Sequence, residues 1–141
     1  MKKLYLFDFD GTLTYKDTMF LYLTFYNSMK FYVQFVKHIP LFVLLNLKLA
    51  DAEKVKKSFI SSILKGESRT KIEKKSQSFF EKYQDEIFRV NALEFINNID
   101  RTQTESYIVS ASLDIWVKPF AEKLEMKLLS TRAEFKNDIF T

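Results

Sequence analysis

The sequence predicts an α/β fold whose parallel sheet is interrupted, after its first strand, by an inserted block of helices. Three short apolar runs typical of strands occupy residues 4–7, 107–109 and 126–129. The long segment between the first two runs repeats its apolar residues at helical spacing, and a shorter helical segment separates the last two. Strands that alternate with helices in this way are typical of a parallel sheet.

The first apolar run is followed directly by two carboxylates, Asp8 and Asp10, and then by Gly11, which permits a sharp turn. A continuous run of this kind predicts a strand that is buried on both faces. Asp and Gly are also ordinary residues of a solvated turn. Two negative charges after a buried strand nevertheless need compensation, and Mg²⁺ prefers oxygen ligands of this kind. Because ligands of open α/β sheets bind at the carboxyl ends of strands, the pattern favours a magnesium site here.

The helical block covers roughly residues 16–84. Asp17 or Thr18 is placed to cap its first helix. Residues 19–36 are apolar almost all round, and Pro40 is expected to break the pattern. Two amphipathic helices follow, one capped by Asp51 and ended by Gly66, the next marked by the apolar residues Ile72, Phe79, Phe80 and Tyr83.

The aromatic residues of this block have two interpretations. They can form the core of the block, which is the simpler one, or they can form an apolar surface that meets a lipid or a membrane. Four basic residues occur at intervals in the apolar segments, as an interfacial helix requires: Lys30, Lys37, His38 and Lys48. The single histidine, His38, is expected at the surface or at a helix end rather than in a catalytic role.

Composition limits the class of protein. The chain has 141 residues, 47% of them hydrophobic, which allows one domain with a modest insertion. It contains no cysteine, which fits a reducing cytoplasm, and its formal charge of +4 is too small to indicate a nucleic-acid partner. The two aspartates interrupt the N-terminal apolar run, and residues 39–47 are far fewer than the roughly 20 needed to span a bilayer, so neither a signal peptide nor a spanning helix is predicted. We expect a cytoplasmic protein, with membrane association only at the surface.

Residues after the block complete the pattern. An apolar stripe over residues 88–99 predicts a helix that packs on the sheet, and the second strand then ends in Ser110-Ala111-Ser112. A hydroxyl and backbone N–H groups at a strand-to-helix turn form a cradle for an anion, although a capping turn is the default for such a sequence. Ser112 is predicted to cap the next helix, and Pro119 predicts a kink or a late start of that helix.

The segments DFDGTLT and IVSASLDIWVKPFAEKL resemble the first two motifs of the haloacid dehalogenase (HAD) superfamily, in its phosphoserine phosphatase-like branch. The resemblance implies a HAD-like (Rossmannoid) parallel sheet core, here incomplete, formed by residues 1–15 and 85–141, with an all-helical cap at 16–84. It makes Asp8 the nucleophile that forms an aspartyl-phosphate and Asp10 the general acid/base, both binding Mg²⁺. Substrate-binding roles fall to the Ser110 hydroxyl and the Ala111 N–H, which would hold the phosphoryl group, and to Asp17, which would reach the substrate from the entrance to the cap.

The chain departs from the family pattern in its second half. The resemblance calls for a later lysine and a later acidic pair, and residues up to 141 offer neither at the required spacing. Residues 131–141 resemble the start of the β-hairpin that precedes the third motif. We therefore expect the N-terminal part of a longer phosphatase, inactive alone, with an uncovered sheet edge and apolar face that favour oligomers or poor solubility.

The resemblance implies a Mg²⁺-dependent phosphatase acting on a small-molecule or lipid phosphomonoester. Phosphoserine is disfavoured, because relatives that hydrolyse it use Glu in place of Asp17 and a cap Arg near Val55-Lys56-Lys57. Two alternatives remain open: a non-catalytic HAD-like module for binding or assembly, and a phosphotransferase on the same scaffold.

Overall fold

The computed structural model describes residues 3–141. The elements follow in the order β1 (Lys3–Asp8), α1 (Thr18–Tyr26), α2 (Ser28–Asn46), α3 (Ala52–Leu64), α4 (Arg69–Tyr83), α5 (Val90–Asn97), β2 (Thr104–Leu113), α6 (Asp114–Lys123), β3 (Lys127–Thr131), β4 (Phe135–Lys136) and β5 (Ile139–Phe140). The first three long strands form a parallel sheet in the order β1-β2-β3, and β4 pairs with β5 as an antiparallel hairpin. The predicted α/β class, with helices between the first two strands, is confirmed.

The first strand is not buried on both faces, so that prediction is wrong. Leu4 and Leu6 are 58% and 61% exposed. In residues 3–141, β1 pairs only with β2, and its other edge is free. One face of β1 is covered, because Tyr5 and Phe7 pack against Phe95 of α5 with ring centroids 5.7 and 6.0 Å apart. The expected packing of this helix on the sheet is therefore present, and the opposite face is open.

The long apolar segment of the helical block divides at Asn27, not at Pro40. Asn27 ends α1 in an extended conformation, and its side chain accepts a hydrogen bond from the Lys30 N–H (3.1 Å), which caps α2. Pro40 lies inside α2 without ending it, which corrects the predicted break. A proline removes one hydrogen bond to the carbonyl four residues earlier. Here that carbonyl belongs to Val36, an exposed residue, so water can replace the lost donor.

His38 is buried in the middle of α2, which corrects its expected place at the surface or at a helix end. Its Nδ1–H donates to the Gln34 carbonyl (2.8 Å), and its Nε2 shares a hydrogen bond with the Ser58 hydroxyl of α3 (3.0 Å). The ring also packs on Phe59, with centroids 5.4 Å apart. His38 therefore links α2 to α3 and lies outside the cavity described below.

The helical block and the sheet share one hydrophobic core. Tyr22 of α1 stacks on Trp116 of α6 with centroids 4.9 Å apart, and Phe79 of α4 meets Phe120 of α6 at 6.0 Å. Both pairs join the inserted helices to the helix between β2 and β3. The division after residue 15 and before residue 85 stays a prediction.

The two chain segments that connect the helical block to the sheet run side by side. The Tyr15 N–H donates to the Ile87 carbonyl (3.0 Å), and the Arg89 N–H donates to the Leu13 carbonyl (2.8 Å). The C-terminal hairpin adds a third connection, because the Phe140 N–H donates to the Glu67 carbonyl (2.9 Å) in the turn between α3 and α4. These contacts fix both ends of the helical block and the turn that follows α3.

The second strand is longer than predicted, and α6 begins directly after it at Asp114. Pro119 lies inside α6 and does not delay its start. Ser112 belongs to β2, and Leu113 occupies the position before α6 without a capping hydrogen bond. The predicted capping role of Ser112 is therefore wrong, and its hydroxyl is free for the contact described next.

Candidate active site

Asp8 stands at the carboxyl end of β1 and opens a wide turn over residues 9–13. Its Oδ1 accepts from the Phe9 N–H (2.9 Å), and its Oδ2 accepts a long hydrogen bond from the Thr12 hydroxyl (3.5 Å). Gly11 adopts φ +76°, and a Cβ at this position would meet nothing within 4 Å. The glycine is therefore required for its backbone conformation and not for space. This turn lets Asp8 and Asp10 both reach the same cavity.

Asp10 is held by hydrogen bonds from two other elements. Its Oδ1 accepts from both the backbone N–H (2.8 Å) and the hydroxyl (2.5 Å) of Thr18 at the start of α1. Its Oδ2 accepts from the hydroxyl of Ser112 at the end of β2. Donors on both oxygens fix the orientation of the carboxylate.

Trp116 extends this network into the core. Its Nε1–H donates to the Thr18 hydroxyl oxygen at 3.0 Å, while its ring is fully buried against Tyr22. The Thr18 hydroxyl thus accepts a hydrogen bond from the indole N–H and donates one to the Asp10 carboxylate. The position of Asp10 therefore depends on the packing of α6 against α1.

We expect Thr18→Val to lower the free energy of unfolding by about 1–3 kcal/mol, because it leaves the buried Trp116 N–H without an acceptor. Thr18→Ser keeps the hydroxyl and should lose less. Urea denaturation of the three proteins, followed by circular dichroism, measures the difference. Equal losses in the two variants would contradict the proposed role of the hydroxyl.

Ser110 is buried, and its Oγ accepts a hydrogen bond from the Ser112 N–H (3.0 Å). It does not line the cavity that holds Asp8 and Asp10, whereas Ala111 and Ser112 do. The contact of Ser110 and Ala111 with a phosphoryl group stays a prediction. In this conformation, the serine that the structure brings to Asp10 is Ser112.

Asp17 both caps α1 and lines the same cavity. Its carboxylate accepts from the Met19 N–H at 2.9 Å, as expected of a capping residue. The cap role and the predicted substrate role are therefore compatible with one position. Separating them requires variants that keep the cap and remove the charge.

Asp17→Asn keeps a capping oxygen, whereas Asp17→Ala removes it. We expect Asp17→Ala to cost about 1 kcal/mol of unfolding free energy and Asp17→Asn to cost much less. Thermal unfolding of both variants measures this difference. If Asp17→Asn is as destabilised as Asp17→Ala, charge and not capping is the stabilising contribution.

The cavity has a volume of about 430 Å³ and lies between the carboxyl end of the sheet and α3. Its wall combines the acidic residues Asp8, Asp10, Asp17 and Glu53 with Lys56, Lys57 and apolar side chains. The lining residues used below are Asp8, Asp10, Asp17, Met19, Lys56, Ile60 and Ser112. A pocket of this size fits a small phosphorylated molecule or the head of a larger one.

The donor atoms at this edge fit a hard divalent cation. The Asp8 carboxylate and the backbone carbonyl of Asp10 are the oxygen ligands that Mg²⁺ prefers, and Mg²⁺ commonly keeps several waters when few protein ligands are present. Among residues 3–141, no group of three or more His, Asp or Glu side chains forms a metal cluster. One carboxylate and one backbone carbonyl are compatible with a partly hydrated ion.

Three residues of this arrangement were missed or misassigned in the sequence. The sequence predicts Thr18 and Ser112 as helix caps and assigns Trp116 no role in the site. Each lies on a different element from Asp10, and Trp116 lies 98 residues from Thr18. Strand alternation would place Ser112 on the side of Ser110 and away from Ala111. The β2–β3 register shifts between Ser110 and Leu113, however, and it is Ala111 and Ser112 that line the cavity, so no local pattern identifies Ser112.

The chain belongs to the haloacid dehalogenase-like hydrolase family, whose family model matches residues 5–141. Two features of the structure agree with this family. The first is the turn with two carboxylates after β1, and the second is the helical insertion that follows it. Protein CicA of Caulobacter vibrioides is 29% identical over 133 residues, which is 94% of this chain and 60% of that protein.

Solved structures share the fold at low sequence identity. A Bordetella pertussis protein of unknown function has a TM-score of 0.83 at 17% identity. The match covers 100% of this chain and 66% of the Bordetella chain. A phosphoserine phosphohydrolase-like protein from Francisella tularensis has a TM-score of 0.70 at 18% identity. The match covers 100% of this chain and 63% of the Francisella chain. A phosphoserine phosphatase with an analogue of its phospho-aspartyl intermediate has a TM-score of 0.62 at 23% identity. The match covers 99% of this chain and 61% of the phosphatase chain. The predicted phosphoserine phosphatase-like fold is confirmed, and the chain spans about 60% of the curated relative.

Proposed function

We propose that the protein is a Mg²⁺-dependent phosphomonoesterase that works through an aspartyl-phosphate on Asp8. Membership in the hydrolase family supports a phosphatase-type function at the coarser level. The observation that carries the finer proposal is the shared cavity of Asp8 and Asp10, in which donors on both oxygens orient Asp10. Asp8 has fewer and weaker contacts, as a nucleophile needs.

In the proposed reaction, an oxygen of Asp8 attacks phosphorus while the bond from phosphorus to the leaving oxygen breaks. Asp10 donates a proton to that oxygen, so the substrate leaves as an alcohol. Asp10 then takes a proton from water, whose oxygen attacks the phosphorus of the acyl phosphate. The bond to Asp8 breaks, and inorganic phosphate leaves. Dividing the displacement into two steps is the benefit of a covalent nucleophile.

The Asp8 carboxylate and the Asp10 backbone carbonyl would hold the magnesium ion. When bound, the ion would screen the repulsion between the Asp8 carboxylate and the phosphate dianion. The proposal includes a lysine and a second acidic pair supplied from outside residues 3–141, in line with the greater length of the relatives. Each such contact is commonly worth about 10²–10³ in rate.

The proposed substrate is a small-molecule or lipid phosphomonoester with an apolar part or a second anionic group. Ile60 and Met19 offer apolar contacts, and Lys56 offers a cation on the α3 side of the cavity. A lysine is a point charge without the bidentate geometry of arginine, so phosphoserine stays disfavoured. We propose the cytoplasm as its compartment, since the sequence has no cysteine.

The test is a turnover assay of the full-length gene product on a panel of phosphomonoesters that includes phosphoserine, nucleotides and lysophosphatidic acid. We expect phosphate release that requires Mg²⁺ and stops with a chelator, and a hydroxylamine-sensitive phosphoryl group on the peptide containing Asp8. Binding without turnover would favour the non-catalytic module. Phosphoryl transfer to an added alcohol in preference to water would favour the phosphotransferase.

A further inference from the structure

The exposed face of α2 carries apolar side chains that the proposed function does not use. Its apolar residues follow helical spacing (i, i+3, i+7, i+14 and i+18), and the last of them is the residue directly after α2. This stripe, which we name the α2 stripe, consists of Met29, Tyr32, Val36, Val43 and Leu47. Its members are between 51% and 76% exposed, and the intervening residues Val33, Ile39 and Leu44 widen it. A row of exposed apolar side chains on one face of a helix is typical of an interaction site.

The opposite face of α2 explains why the stripe cannot turn inward. Phe31 and Phe42 both pack on Phe59 of α3, with ring centroids 5.5 Å apart in each pair. His38 is fixed between α2 and α3 by its two hydrogen bonds. The helix is therefore anchored on one side, and rotation to bury the stripe would expose these aromatic residues.

The C-terminal end of α2 adds to the same surface. Lys48 adopts φ +60°, and the Leu49 N–H donates to the Leu44 carbonyl at 2.8 Å, which closes the helix end. This closure leaves Leu47 and Leu49 60% and 73% exposed. Two exposed leucines on either side of an exposed lysine suit an interface between water and hydrocarbon, where the lysine head group stays in water.

The positive charge around the α2 stripe indicates what kind of partner it binds. The sequence has no Asp or Glu from residue 18 to residue 50, whereas Lys37 flanks the stripe and Lys48 follows it, both exposed. No helix among residues 3–141 is long and apolar enough to cross a membrane. We propose that the α2 stripe binds the surface of a bilayer that contains anionic phospholipids, with the helix lying in the plane of the interface.

A second copy of this chain fits the stripe less well. Lys37 lies at the middle of α2, so two antiparallel α2 helices would bring two Lys37 side chains close together. Like charges at an interface oppose association, whereas an anionic lipid surface attracts each lysine. The proposal does not depend on the catalytic roles of Asp8 and Asp10, none of which involve α2.

The test is co-sedimentation of the full-length protein with phosphatidylcholine vesicles that contain or lack phosphatidylglycerol. We expect binding to the anionic vesicles, weakened by added salt, and little binding to phosphatidylcholine alone. The double variant Val36→Asp/Val43→Asp should bind at least about tenfold more weakly, because it places charge where apolar area would be buried. Lys37→Gln should weaken binding by about fivefold.

The matched control is Val90→Asp on α5, because Val90 and Val36 are 62% and 63% exposed and lie on different helices. We expect Val90→Asp to bind like the unmodified protein. Unchanged urea denaturation confirms that each variant is folded. Failure of the unmodified protein to bind anionic vesicles, or equal binding by the double variant, would overturn the proposal. A dimer that the double variant converts to a monomer, without vesicle binding, would assign the stripe to a second copy instead.

Discussion

Replacing Asp8 with asparagine in the full-length protein should lower phosphomonoester turnover by more than about 10⁴-fold. The amide has nearly the shape of the carboxylate, but its oxygen lacks the charge of the nucleophile and cannot form an acyl phosphate. Asp8 is exposed, and an amide oxygen can still accept from the Phe9 N–H. We therefore expect the free energy of unfolding to change little, so that lost activity reports chemistry and not folding.

The matched control for this variant is Asp51→Asn. Asp51 is another exposed aspartate, and it caps α3 by accepting from the Glu53 N–H at 2.9 Å. It does not line the cavity, so its replacement by the capping residue asparagine should leave turnover unchanged. Turnover of Asp8→Asn within tenfold of the unmodified protein would show that the reaction does not pass through Asp8.

The largest loss of stability is expected from Phe59→Ala. Phe59 is fully buried, and five aromatic side chains of α1 and α2 pack around its ring: Phe20, Phe31, Phe35, His38 and Phe42. Removing a buried phenylalanine ring leaves a cavity and costs about 3–5 kcal/mol of unfolding free energy. For a domain of this size, that loss corresponds to a decrease in melting temperature of roughly 10–17 °C.

Phe95→Ala is the comparison for this prediction. Phe95 is 51% exposed, although it touches Tyr5 and Phe7, so we expect it to lose about 1 kcal/mol. Urea denaturation followed by circular dichroism measures both variants. If both lose the same amount, the ring of Phe59 does not organise the helical block as its contacts indicate.

The sequence alone determined those parts of the structure that depend on interactions between residues close together in the sequence. A continuous apolar run, two aspartates and a glycine specify a strand and a turn within a few residues, so β1, Asp8 and Asp10 could be placed in advance. Asp51 and Gly66 likewise bound α3, because a cap bonds to its own helix end and a positive φ favours glycine. The helical insertion and the parallel sheet followed from the order of these local patterns.

Breaks in the apolar segments were harder to predict, because proline and asparagine act through different groups. Pro40 removes one donor in an exposed turn of α2, which solvent can compensate. Asn27 instead offers its side chain to the first turn of α2, so the chain gains a hydrogen bond by ending α1 there. Proline is the stronger helix breaker in isolation, yet Asn27 and not Pro40 divides the apolar segment.

The tertiary structure alone decided burial and the environment of Asp10. Whether Leu4 and Leu6 are covered depends on which elements pack on β1, and a local apolar run does not contain that information. Asp10 is oriented by Thr18 and Ser112, and Thr18 is supported by Trp116. These partners come from separate elements, and their hydrogen bonds form only when α1, β2 and α6 pack together. A sequence pattern reports periodicity within one element, whereas contacts between elements depend on how the whole chain buries its core.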